Sequence, residues 1–264
     1  MANNTESYYY SGQGVVMLAE YDENHNLLGY RPIGNVSALS IGIETTRTEH
    51  RESQTGARGV DRVVTTEVNA NVSMTVENFI QENLALGLYG STANVAAATG
   101  VTVQQKPVIL GTVEALGFIN VSNMVVTDNP GSPTITYEED KNYRLNKDAG
   151  SIYWMTEAEQ TAAGATNVIT ASSMVGYAYD HAEQKVLQGL ETSNSPVRAL
   201  RFEGLNTVEN NAPVVVEIFK FETAPLAEYA LINEEISNIE LTGNALADNN
   251  RTTGSRYFRQ ISTQ

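Results

Sequence analysis

No cysteine occurs among the 264 residues. That absence excludes a disulfide framework, a thiolate metal site and a cysteine nucleophile. Basic side chains are scarce as well: 16 Lys and Arg stand against 31 Asp and Glu, a formal net charge of −15. A direct nucleic-acid binder carries the opposite balance, because affinity for phosphate comes largely from Lys and Arg. No apolar run approaches the roughly 20 residues of a spanning helix. The Met-Ala-Asn-Asn-Thr-Glu start has neither a basic n-region nor an apolar h-region. A soluble chain made in a cytoplasm, with no membrane insertion of its own, is expected.

Catalytic and metal-binding patterns are equally thin. His25, His50 and His181 each lie in a polar stretch without the i, i+4 pairing of a helical zinc site, so surface positions are expected for all three. No Gly-x-Ser-x-Gly elbow supports a serine triad, and Asp180-His181 and Glu138-Glu139 are unspecific. Gly12-Gln13-Gly14 opens like a dinucleotide fingerprint, but Met17 stands where the third glycine belongs. Asp22, Asn24 and Asn26 have the early spacing of a calcium loop, yet Leu27 replaces its glycine and the closing Glu is missing, so a hairpin turn is expected. The Asn-x-Ser/Thr triplets at Asn3, Asn35, Asn71, Asn120 and Asn250 need secretion to matter. The chain reads as a non-enzymatic protein with no cofactor and no metal.

What is present is a pattern of strands. In Val63 to Val76 the period is two: Val64, Thr66, Val68, Ala70, Val72, Met74 and Val76 share one face, while Thr65, Glu67, Asn69, Asn71, Ser73 and Thr75 point the other way. Upstream, Leu39, Ile41 and Ile43 alternate with Ser40, Gly42 and Glu44, so both segments can lay one face on a shared core and leave the other wet. Between them Thr46 to Arg62 is polar, with Ala57 and Val60 among its few apolar residues. It reads as a loop far longer than a tight hairpin requires.

Elsewhere, Gly14 to Tyr21 predicts a strand. A helix is predicted at about 77–89, with Thr75 as N-cap and Gly90 at its close. Further strands are expected at 101–103, 108–110, 113–118, 152–155, 173–179, 198–202, 214–221, 236–241 and 256–261, with a helical turn at 226–231. The class is mainly β with one principal helix. The expected division is a β domain of residues 1–119 and 188–264 and an inserted β-rich module of residues 120–187. Glu203 to Asp248 carries nine acidic residues and one basic one, Lys220, and reads first as a solvated acidic surface.

Particular segments resemble the major tail tube protein of long-tailed bacteriophages. They are Ser11-Gly12-Gln13-Gly14, Ile33-Gly34-Asn35-Val36, Glu49-His50-Arg51-Glu52-Ser53, Asn71 to Glu77 and Glu82 to Gly90. The likeness continues in Leu200 to Asn206, Gly243 to Ala247 and Ser255-Arg256-Tyr257-Phe258, in order along nearly the whole chain. The module from about Tyr143 to Tyr179 departs from the smaller members of that family.

The resemblance implies a tail-tube-like β-sandwich or barrel, similar to the tube subunit of contractile secretion systems. It implies rings, hexameric in form, stacked into a hollow tube in a virion tail, through which the genome passes without specific binding. Implied partners are copies of the chain itself and other tail proteins, such as terminator, tape measure and, in contractile tails, a sheath. On that reading the polar face with Glu44, Glu67, Asn69 and Asn71 lines the bore. The arm at 46–62, with Arg47, Arg51, Arg58 and Arg62 interleaved among Glu49, Glu52 and Asp61, serves stacking between rings. Two alternatives stand beside it: a secretion-system tube subunit, and an extracellular β-sandwich adhesin or carbohydrate-binding module motivated by Tyr153, Trp154 and the many tyrosines.

Overall fold

The structure, a computed structural model, describes residues 8–54, 56–234 and 236–263. In chain order the elements begin with strands β1 (Gly12–Ala19), β2 (Arg31–Pro32), β3 (Val36–Arg51) and β4 (Val60–Val76), then helix α1 (Gln81–Gly87). Next come β5 (Ser91–Val95), β6 (Ala98–Pro107), β7 (Val113–Ala115), β8 (Val121–Thr127), β9 (Thr136–Tyr137), β10 (Tyr143–Asn146) and β11 (Ser151–Trp154). Helix α2 (Glu157–Ala162) precedes β12 (Met174–His181), β13 (Gln184–Gln188), β14 (Val197–Asn206), β15 (Ala212–Thr223), β16 (Ile239–Leu246) and β17 (Phe258–Ser262). The protein is mainly β, and its named strand pairings are antiparallel.

The chain forms two compact units, residues 1–92 with 187–264, and residues 93–186. The second unit therefore begins well before the expected boundary at 120. Strands expected in the main domain at 101–103 and 113–118 belong to it, because β6 pairs with β12 and β7 with β11. Residues 108–110 form no strand.

In the first unit the sheet order is β2-β1-β14-β15-β16-β4-β3, with β17 on β15. Its inner face carries Val16, Leu18, Val72, Met74, Val76, Leu200, Phe221 and Leu241, packed with Leu84 and Leu86 of α1. The helix is shorter than expected and its N-cap is Ile80, with no side-chain cap. Thr75 is unavailable because β4 stays hydrogen-bonded to β16 through Val76. At the other end Tyr89 takes the left-handed conformation (φ 50°) and Gly90 N–H donates to Ala85 O at 2.9 Å, so the reversal falls one residue before the glycine. The Tyr89 hydroxyl, anchored 2.7 Å from Thr223 O, helps hold that conformation. Gly90 itself is required by space, since a Cβ there would sit 2.0 Å from Gln188 O. No helical turn forms at 226–231.

The second unit has a sheet of order β6-β12-β8-β9 and another of order β10-β11-β7. Its core gathers Tyr137, Tyr143, Ile152, Trp154, Val175, Tyr177 and Tyr179. Thr156 and Glu159 form a reciprocal capping box on α2, a second short helix that the sequence reading omitted. Inside this unit Glu114 accepts hydrogen bonds from Lys106 Nζ, Tyr177 OH and, at 2.9 Å, Trp154 Nε1. Burial is the largest influence on its carboxyl and pushes it up, but these donors outweigh burial and hold it below the usual range. The same burial, with the bond to Glu114, pushes the Tyr177 hydroxyl up.

Met74, with no exposed surface, supports the first core. Met74→Ala is expected to cost about 2–5 kcal/mol and to lower the urea midpoint measured by far-UV circular dichroism. In the second unit, Glu114 is depressed relative to an unfolded Glu of about 4.3. Its contribution is complete above that value and is lost as pH falls through the folded value. The stability gap between wild type and Glu114→Gln, followed by Trp154 fluorescence, should therefore be level from about pH 6 to 8 and narrow below about pH 4.

Candidate assembly interface

β3 and β4 form one antiparallel ribbon from the base pair Val36 and Val76 to Arg51 opposite Val60. The predicted 17-residue loop is thus mostly ladder, and among the described residues only 52–54 and 56–59 lie outside it. Backbone pairing continues where the hydrophobic pattern stops because the ladder needs no particular side chains. The register shifts between Val36 and Ala38, between Thr46 and Arg47 and again between His50 and Arg51, three irregularities that period counting does not reveal.

Burial along the ribbon ends abruptly. Ala70, Val72, Met74 and Val76 are buried, whereas every residue from Val60 to Asn69 is exposed. The same apolar face nonetheless continues outward through Val68, 56 % exposed, and Ile43, opposite Ala70, 62 %; beyond the register shift at Thr46 and Arg47 it passes to Val63, opposite Glu49, while Val64, opposite Thr48, turns to the face of Glu67. The expectation that the whole face from Val64 to Val76 packs on the core is therefore corrected, and its outer half overhangs. At roughly 3.3 Å per residue the ten exposed residues of β4 project about 33 Å. β16 covers β4 only from Ala70 to Val76, and β3 is the last strand of the sheet.

The register brings the four residues expected along a bore onto one face. Glu44 lies opposite Asn69 and Gly42 opposite Asn71, while Glu67 lies opposite Thr46, whose hydroxyl donates to Glu67 Oε2 at 3.5 Å. The face extends further than the sequence reading carried it. Asn244 pairs with Asn71, Thr242 with Ser73 and Glu240 with Thr75, and on β15 Glu222 lies opposite Asn244. The alternation of Ile239, Leu241 and Ala245 with Glu240, Thr242 and Asn244 is the signal that could have added β16.

The arm residues are distributed along the ribbon and its turn. Arg47, Glu49 and Arg51 lie on β3, Asp61 and Arg62 on β4, and Glu52 and Arg58 in the turn. Arg51 Nη2 stands 3.4 Å from Glu49 Oε2, and His50 Nδ1 lies 2.6 Å from Asp61 Oδ1. The Glu52 carboxylate accepts from Gln54 N at 2.8 Å, and Arg58 adopts φ 51°. Among the described residues the side chains of Arg47, Arg58 and Arg62 make no hydrogen bond or ion pair.

Other conspicuous residues are occupied structurally. Gly12 and Gly14 lie in β1, where a Cβ on Gly14 would meet Glu203 O at 2.2 Å. The Asp22 carboxylate accepts from Asn24 N, Asn26 N and Asn26 Nδ2, closing the expected turn. His181 departs from expectation: it is buried and stacks on Phe118 at 4.0 Å. Trp154 is an interior residue, 1 % exposed, so it offers no platform to a sugar. Tyr153 OH donates to Glu159 Oε2 at 3.0 Å. Glu217 lies between Arg201 and Arg259 on neighbouring strands and accepts from both. Among the described residues no group of three or more His, Asp or Glu side chains converges to hold a metal ion.

Because the outer ribbon touches no core, deletion of residues 48–61 should leave the unfolding free energy of the remaining fold within about 0.5 kcal/mol of wild type. Calorimetry checks this, and loss of the folded transition would contradict it.

No curated protein matches the sequence. A model of the family described as "Protein of unknown function UCP028589" matches residues 9–261, and the chain belongs to that family.

Proposed function

We propose that the chain is a structural subunit of a bacteriophage tail tube, assembling with copies of itself into stacked rings around a polar bore. The observation that carries this reading is the overhanging ribbon. Its outer half keeps the apolar face of a core strand, with Ile43, Val68 and, past the register shift, Val63 each half exposed or more, and β3 presents 16 residues at a sheet edge. A lone chain with such an edge is an aggregation hazard. Pairing with neighbouring copies in a closed ring removes the edge and covers the apolar stripe. Burying one such side chain contributes roughly 1.5–3 kcal/mol, so the stripe alone can supply several kcal/mol per contact.

The polar face suits a conduit for DNA. Glu44, Glu67 and Glu222 repel phosphate, and Asn69, Asn71 and Asn244 hydrate it without holding it by charge. Screening confines the repulsion to about 8 Å at physiological salt, so it acts near the wall and prevents sticking instead of driving transport. Six-fold rings and the tail setting rest on the resemblance of the segments quoted above. The interior position of Trp154 takes one of the aromatic residues behind the carbohydrate-binding alternative out of contact with any ligand.

Negative-stain microscopy and sedimentation of the purified protein test the proposal. Wild type should form rings or tubes. Ile43→Asp with Val68→Asp should keep the wild-type melting curve and remain monomeric. A monomeric wild type, or normal assembly of the double variant, would remove the ribbon from this role.

A further inference from the structure

The first unit has a second unexplained surface, at the opposite end of the ribbon from the arm. β16 starts at Ile239, opposite Val76, so the segment leading into it lies at the ribbon's base. That segment has no regular structure from Ala224 to Asn238 among its described residues. Between Ala224 and Glu240 the sequence has four acidic residues and neither Lys nor Arg. Its apolar side chains are left in solvent: Leu231 is 77 % exposed, Ile232 97 % and Ile236 92 %. Beside them a groove of about 530 Å³ is lined by Ala227, Ala230 and Ile236 together with Glu228 and Glu240. Isolated exposed apolar residues need no explanation, but three within six residues of one segment, of which Ile236 lines an acidic groove, mark a docking surface.

The chain itself carries a matching counterpart. Along the outer ribbon and its turn Arg47, Arg58 and Arg62 have no side-chain partner among the described residues, whereas nearby Glu49 and Asp61 are engaged by Arg51 and His50. Val60 and Val63, 45 % and 51 % exposed, accompany them. Guanidinium groups with adjacent valines on one side, and carboxylates with adjacent isoleucines on the other, are complementary in charge and polarity. The two surfaces of one chain are held apart by the hydrogen-bonded ribbon, roughly 56 Å for the 17 residues of β4 at 3.3 Å per residue. The arm can therefore meet only the groove of another copy.

We infer that the arm of one copy docks in the acidic groove at the ribbon base of the next, with Arg47, Arg58 or Arg62 pairing Glu228 and Glu240, and Val60 and Val63 against Ile232 and Ile236. This rests on the tube reading and names the receptor of its arm. The contact is heterologous, tip to base, and so propagates along the ribbon direction without closing. It also assigns a use to part of the acidic excess that a solvated surface would leave idle.

Charge exchange in the full-length chain tests it. Arg47→Glu with Arg62→Glu should abolish growth from rings to tubes while rings still form. Glu228→Arg with Glu240→Arg should do the same, and the fourfold variant should recover tubes. Tubes of normal length from the groove variant, or continued arrest of the fourfold variant, would overturn the inference and leave the tube reading standing. Wild type that forms no rings would remove both. The cysteine-free sequence permits a second readout: Val63→Cys chains mixed with Ile232→Cys chains should give disulfide-linked dimers on mild oxidation of assembled material. Absence of that product from tubes containing both would equally overturn the inference.

Discussion

The β3/β4 ladder is the constraint from which the rest of the first unit follows. An antiparallel ladder satisfies backbone donors and acceptors whatever its side chains meet, so it can run on beyond the core that its inner half helps to build. Ala70 is where those two requirements part. Inside that point every second residue is sealed against Leu241, Phe221 and α1. Beyond it the backbone remains paired while Ile43, Val64 and Val68 face solvent. A fold that ended at its own core would have no reason to extend a paired ribbon with exposed apolar side chains into solvent.

The second unit is built on the opposite principle. Its buried polar groups are satisfied from within: Asn142 Nδ2 donates to Gln160 Oε1 at 2.9 Å, and Gln160 Nε2 reaches Met155 O and Ile169 O. Glu114 ties Lys106, Tyr177 and Trp154 into one network. Such networks stabilise when complete and are costly when one member is removed. The first unit leaves its largest edge and its arginine-bearing tip uncompleted, and that contrast is why the assembly surfaces are assigned there.

Several local features were readable from residue chemistry, and others were not for identifiable reasons. Period-two alternation located β4 and the polar character of Glu67, Asn69 and Asn71. Asp22 with Asn26 was legible as a turn. Thr156-Glu157-Ala158-Glu159 carries a capping box, but the six-residue helix it opens is too short for a hydrophobic period to mark it. Thr75 is a good cap by type, but its backbone was already committed to β16. The polar composition of 46–62 suggested a loop, because composition reports on burial and not on whether a backbone is paired. The unit boundary was misplaced for a related reason: the partners of β6 and β7 lie more than 30 residues away in β11 and β12.

By itself the sequence determined the class, mainly β, and the two-faced character of the long strands, because alternation of side chains is a property of any extended chain. It also determined the acidic balance and the exclusion of thiol chemistry. Only the tertiary structure decided how far the ladder extends, where burial stops along it, and that the arginine tip and the acidic groove stand at opposite ends of one ribbon. Those facts depend on which distant strand lies beside which, and pairing of that kind leaves no mark in local periodicity.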